Sequence, residues 1–120
     1  MPYELTWEER GVYKRLWGFI SFPEYARSQE LVLSDPRADD IRYVINDLLE
    51  VEGYTVTTKE AEYLAAFNRG SSLSNPRIRI AYVTKDAKVI FLLKAASVFS
   101  SYTVKDFPTL QDARAWVAKE

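Results

Sequence analysis

Thr57 and Thr58 stand where a hydroxyl could do chemistry. Thr57 is followed three residues later by Glu60, and then by the apolar set Ala61, Leu64, Ala65 and Phe67, a helix-start signature. A phosphate accepted at such a position would be stabilised by the helix dipole and the free backbone N–H groups. The same Thr57 hydroxyl can simply cap the helix, a role worth about 1 kcal/mol, and this is the plainer expectation. A second set is acidic. Asp39 and Asp40 precede an apolar run, and Asp47, Glu50 and Glu52 lie at its end. Carboxylates at strand ends can hold magnesium or act as general bases. A third set, Arg69, Arg77, Arg79, Lys85 and Lys88 beside Ser71, Ser72, Ser74 and Asn75, could receive an anion or serve as a solvated loop.

None of these sets has the usual helpers. The chain has no histidine and no cysteine. It therefore lacks the side chain that titrates near neutrality, the thiol nucleophile and the common zinc and copper ligands. No Gly-rich phosphate loop and no nucleophile-elbow pattern occurs. The composition calls for no cofactor and no metal, and the expectation is a protein that is not an enzyme. Sixteen basic and 17 acidic residues give a net charge of −1, which offers no general attraction to nucleic acid. Without cysteine there is no disulfide framework. The first residues do not read as a signal peptide, and the longest apolar run, 89–93, is too short for a transmembrane segment. A cytoplasmic protein is expected. The 120 residues, 48% of them apolar, suit one domain over 1–120, because two cores of about 60 residues each would be marginal.

The elements follow from periodicity. Tyr3, Leu5 and Trp7 alternate with polar neighbours, and Gly11 punctuates a turn before a second strand, 12–19, with Tyr13, Trp17 and Phe19 on one face. Ser21 and Glu24 form a capping box with Pro23 in the first turn, opening a helix to about Leu33 that Asp35-Pro36 stops. The run 41–49 reads as a strand buried on both faces. Residues 50–56 read as a loop containing Gly53. A helix from Thr57 to about Gly70 leads through loop 71–76 to a buried strand, 78–83. Asp86 caps a third helix, 87–99, Tyr102 and Val104 alternate in a last strand, and Thr109 caps a final helix. The order β-β-α-β-α-β-α-β-α predicts an α/β fold: a mixed five-stranded sheet of four parallel strands plus one antiparallel hairpin strand, with about four helices.

That order, the N-terminal hairpin and the ending Val104-Lys105-Asp106-Phe107 then Asp112-Ala113-Arg114-Ala115-Trp116-Val117 resemble the bacterial SpoIIAA-like proteins. These are related in fold to the STAS domains of anti-sigma factor antagonists. The resemblance implies a non-catalytic regulatory module that binds another regulatory protein. It also implies a phosphoacceptor at the start of the helix after the central strand, within a typical Asp-Ser-Ser-Gly. Here that stretch reads Tyr54-Thr55-Val56-Thr57-Thr58-Lys59, so the position carries over, to Thr57 or Thr58, and the motif does not.

The third helix carries two apolar stripes: Val89, Leu92, Leu93, Ala96 and Phe99, then Phe91, Ala95, Val98 and Tyr102. One packing layer needs one stripe. The surplus predicts an additional buried surface, a homodimer contact, a partner groove or an apolar small ligand, met by Phe91, Ala95, Val98, Tyr102 and Tyr54. Phe22 and Tyr25 are further candidate liners. Three functions are thus in play: an interaction module, a carrier of a small hydrophobic molecule or lipid, and, last, a carboxylate-dependent enzyme.

Overall fold

The alternating N-terminal residues form a hairpin. In the computed structural model, which describes residues 2–91 and 102–119, strand β1 (Tyr3–Trp7) runs antiparallel to β2 (Gly11–Ser21), with Tyr3 opposite Leu16 and Trp7 opposite Val12. Strands β3 (Tyr43–Thr55), β4 (Arg79–Val83) and β5 (Thr103–Phe107) follow β2 in parallel, in the order β1-β2-β3-β4-β5. The expected sheet, four parallel strands and one antiparallel, is the one present.

Helices connect the parallel strands. Helix α1 (Phe22–Leu33) links β2 to β3 and is followed by a 3-10 turn, Pro36–Asp39. Helix α2 (Thr58–Ser71) links β3 to β4. Helix α3 is described over 87–91; the rest of the expected span, with Ala95 and Val98, lies outside the described residues. Helix α4 (Leu110–Val117) closes the fold. The capping signatures have physical substance. Ser21 and Glu24 exchange side-chain-to-backbone hydrogen bonds at the start of α1, and the Thr109 hydroxyl accepts from the Asp112 N–H at 3.1 Å.

The sheet separates two apolar layers. On one face, Val12, Val44 and Ile80 pack with Val32 of α1 and with Ala38, Ile41, Ile78 and Tyr102. On the other, Ile45, Ala81, Val83 and Phe107 pack with Ala113 and Val117 of α4. Burial of the Val and Ile side chains among these contributes about 1.5–3 kcal/mol each. A smaller cluster of Tyr3, Leu16 and Ile20 extends the first layer toward the far end of β2.

Two boundaries differ from the sequence reading. Residues 50–55 are strand, not loop, because β3 continues alongside β2: Trp17 pairs with Glu50, Phe19 with Gly53 and Ser21 with Thr55. Gly11 is the first residue of β2 and not merely turn punctuation. A Cβ there would sit 2.5 Å from the Tyr43 ring on β3, so glycine is what lets that ring lie across the strand. Phe19 lies over Gly53 in the same way. The two long parallel strands are thus joined by two glycine–aromatic pairs of opposite polarity.

Candidate functional site

The junction between the central strand β3 and helix α2 presents Thr57. Its backbone is extended, at φ −91° and ψ 163°, and its hydroxyl accepts from the Glu60 N–H at 3.2 Å. Glu60 returns the bond by accepting from the Thr57 N–H at 2.9 Å. Two N–H groups that the helix would otherwise leave without partners are satisfied. Thr57 is exposed, as is Val56 before it, and Thr58 opens the helix. At the same end of the sheet Phe19 is 62% exposed over Gly53. The hydroxyl already caps the helix, and the Glu60 carboxylate beside it is engaged by the Thr57 N–H.

The other predicted positions are scattered. Tyr54 packs against the Tyr3, Leu16 and Ile20 cluster, and Tyr102 lies in the main core. Tyr102 is buried, whereas Tyr54 is only partly so. Phe91 is 72% exposed. Of the candidate liners, Phe22 packs edge-on against Tyr63, with centroids 6.1 Å apart, and Tyr25 belongs to the polar row described below. Between α1 and α2 runs a shallow groove of about 320 Å³ bordered by Arg27, Glu30, Leu31, Ser34, Asp35 and Phe67. Four of those six are polar or charged, and the groove is open to solvent.

The carboxylates do not converge. Asp47 accepts from the Tyr13 hydroxyl at 2.5 Å, and Glu50 pairs with Arg15 at 2.5 Å. Glu8, near the β1–β2 turn, takes a two-pronged ion pair from Arg114 of α4 at 2.7 and 2.8 Å and a hydrogen bond from the Tyr43 hydroxyl. The Arg114 guanidinium holds the Glu8 carboxyl below its ordinary range against the opposing effect of partial burial, and the Tyr43 bond adds to the lowering. Burial and the Glu8 bond push the Tyr43 hydroxyl up to about 12. With donors and acceptors matched in this way, the group ties the hairpin to α4. Arg79, placed in a basic patch by sequence, donates to the Trp116 and Lys119 carbonyls and so caps the end of α4.

Sequence reasoning missed a row of polar residues inside the sheet. Lys14 on β2, Asn46 on β3 and Tyr82 on β4 are mutual register partners. Paired residues of neighbouring strands share a face, here that of Val12 and Val44, toward α1. Lys14 is completely buried; its Nζ donates to Ser28 Oγ at 3.0 Å and Gln29 Oε1 at 2.9 Å, 4.7 Å from the Tyr25 ring centroid. Burial lowers its pKa to about 7. Gln29 donates onward to Asn68 of α2 at 3.3 Å, and the Tyr25 and Tyr82 hydroxyls share a 2.7 Å hydrogen bond. Neither amide atom of Asn46 has a partner among the described residues, an arrangement that costs about 1–3 kcal/mol for each group left unsatisfied. The signal was present in the chain. Lys14 alternates with Val12 and Leu16, and Asn46 interrupts an apolar run.

The arrangement of strands and helices is that of a SpoIIAA-like, STAS-like protein. No protein-family profile and no curated protein matches the sequence. Among solved structures, the chain is similar to an uncharacterized protein of the DUF3478 family with a SpoIIAA-like fold from Shewanella loihica PV-4. That likeness has a TM-score of 0.59 and 16% identity, over 97% of this chain and 92% of that one. The chain is also similar to the anti-sigma factor antagonist SpoIIAA in its unphosphorylated form, with a TM-score of 0.67 and 12% identity over 98% and 99% of the two chains. A third likeness is to the Bacillus cell fate determinant SpoIIAA in its phosphorylated form, with a TM-score of 0.58 and 10% identity over 96% and 98%. At these identities the likeness is one of fold. No described helix is long and apolar enough to cross a membrane.

Proposed function

We propose that this chain is a STAS-type regulatory module that works by binding another protein and not by catalysis. The observation that carries this reading is the β3–α2 junction. It is the place where the resemblance puts a regulatory hydroxyl, and here it offers a capping Thr57 preceded by exposed Val56, with Phe19 exposed over Gly53 on the strand that leads into it. A similar fold serves a protein described as an anti-sigma factor antagonist, which supports a protein partner. The junction is a contact surface in which Thr57 acts chiefly as the cap. Self-association through Phe91, with Ala95 and Val98 beyond it in sequence, belongs to the same reading.

The test is quantitative co-purification from the native host. Phe19→Ser and Val56→Ser should each deplete a specific partner about tenfold or more, the equivalent of about 1.4 kcal/mol. Leu73→Ser, an equally drastic change at an exposed site just beyond the other end of α2, should leave it in place. Equal recovery of the same proteins by all three variants would refute the assignment.

A further inference from the structure

Strand β1 leaves one edge of the sheet open. Two backbone bonds fix its hydrogen-bonding phase: the Trp17 N–H donates to the Pro2 carbonyl at 3.0 Å, and the Glu8 N–H to the Gly11 carbonyl at 2.7 Å. The same register pairs Glu4 with Arg15 and Thr6 with Tyr13. In an antiparallel pair, bonded positions alternate with unbonded ones. The even-numbered residues therefore bond to β2, and the N–H and C=O groups of Tyr3, Leu5 and Trp7 point away from it. No backbone group takes them up among the described residues, and beyond β2 no described element runs along β1. An unpaired edge is a template for another strand, and proteins guard such edges with lysine, proline or a bulge. At the opposite edge β5 carries exposed Lys105. Between Tyr3 and Trp7 there is no lysine and no proline, and the register to β2 is unbroken.

The side chains select the occupant. Tyr3, Leu5 and Trp7 pack into the apolar layer on one face, while Glu4 and Thr6 are exposed on the other. Glu4 has no ion pair among the described residues, because Arg15 opposite it is taken by Glu50 at 2.5 Å. A strand laid along this edge meets an apolar side and an unneutralised carboxylate. Opposite charges facing each other across strands are favourable, and like charges are not. A second copy of β1 is a poor occupant, since Tyr3-Glu4-Leu5-Thr6-Trp7 contains no basic residue. We propose that the β1 edge of the five-stranded sheet receives an extended segment of a partner protein, with a lysine or arginine opposite Glu4 and an apolar residue on either side of it. The segment runs antiparallel, the more stable pairing, and its main chain bonds to Tyr3, Leu5 and Trp7. This surface is separate from the β3–α2 junction: β1 pairs with residues 12–16 of β2 and Phe19 lies beyond them, so the two stand or fall independently.

The experiment uses the full chain, labelled with nitrogen-15, and the peptide acetyl-Thr-Val-Thr-Val-Lys-Val-Thr-amide. Amide NMR at neutral pH should show saturable shifts centred on Tyr3, Leu5 and Trp7, with a dissociation constant of about 1 mM or tighter. Glutamate in place of the peptide's lysine should weaken binding about fivefold, and Glu4→Lys should reverse that preference. N-methylation of the central valine, which removes a bond to the Leu5 carbonyl, should abolish binding. Leu5→Pro should do the same, because it deletes an outward N–H and leaves the ladder to β2 whole. The proposal is overturned if these amides do not respond to several millimolar peptide, or if lysine and glutamate peptides bind alike to wild type and Glu4→Lys. It is equally overturned if the amides shift with protein concentration alone, the signature of a second copy at the edge. Should neither variant fold, the lysine–glutamate and N-methyl comparisons on the wild type decide.

Discussion

Lys14 and Gln29 meet inside the protein: Lys14 Nζ donates to Gln29 Oε1 at 2.9 Å, and neither side chain is open to solvent. A lysine at this depth changes how the whole molecule responds to pH. Burial lowers its pKa to about 7, against about 10.4 in an unfolded chain. Between those values the unfolded chain binds more protons, so stability rises with pH at up to about 1.4 kcal/mol per pH unit. Below about pH 7 this group contributes no further slope. Tyr25 and Tyr82 face Lys14's neighbourhood, and burial raises both hydroxyls, the bond between them lifting Tyr25 further. They hold protons in the folded state that the unfolded chain releases above about pH 10, and stability should then fall. Denaturant unfolding across pH 6 to 11 should show this rise and fall. Lys14→Met should flatten the rise; an unchanged slope in that variant would assign it to another group.

Thr57 offers a separable test of cap against switch. Thr57→Ala should cost about 0.5–2 kcal/mol by urea unfolding, through loss of the bond to the Glu60 N–H. Thr57→Asp should retain most of the stability, because aspartate caps and complements the dipole. Phosphate on Thr57 or Thr58 in protein from the native host, with Asp changing partner affinity and leaving stability intact, would show a phosphoswitch instead.

Gly11→Ala should destabilise the protein by about 1–3 kcal/mol. Its Cβ would meet the Tyr43 ring at 2.5 Å, and moving that ring disturbs the hydroxyl bond to Glu8. Gly18→Ala should cost roughly 1–2 kcal/mol for a different reason, a backbone held at φ +70° with open space around it. Tyr43→Leu would separate them by relieving only the first penalty.

Much of this fold could be read before the structure. Period-two alternation in Tyr3–Trp7, the paired capping boxes at Ser21 and Thr57, and the apolar runs around Ile45 and Ile80 are local signals that the sheet and helices obey. The second half of β3 could not be read this way. Glu50, Glu52 and Gly53 look like loop, and only pairing with residues 17–21 of β2 makes them strand. The buried row was hidden differently. Charge marks Lys14 as a surface residue, and its burial depends on Ser28, Gln29 and Asn68, which only the packing of α1 and α2 brings near.

Phe91 bears on assembly. With its ring 72% exposed, a dimer built on it should weaken when Phe91→Glu brings a charge into the contact. Sedimentation at high micromolar concentration should show wild-type dimer and variant monomer. A monomeric wild type would remove self-association from the account.

The most direct measurement of the central claim is photo-crosslinking in the native host, with benzoylphenylalanine in place of Phe19 and, separately, of Leu73. An interaction module whose surface lies at the β3–α2 junction predicts a discrete protein adduct at position 19 and none at position 73. No adduct at position 19, or the same adducts at both positions, would contradict it.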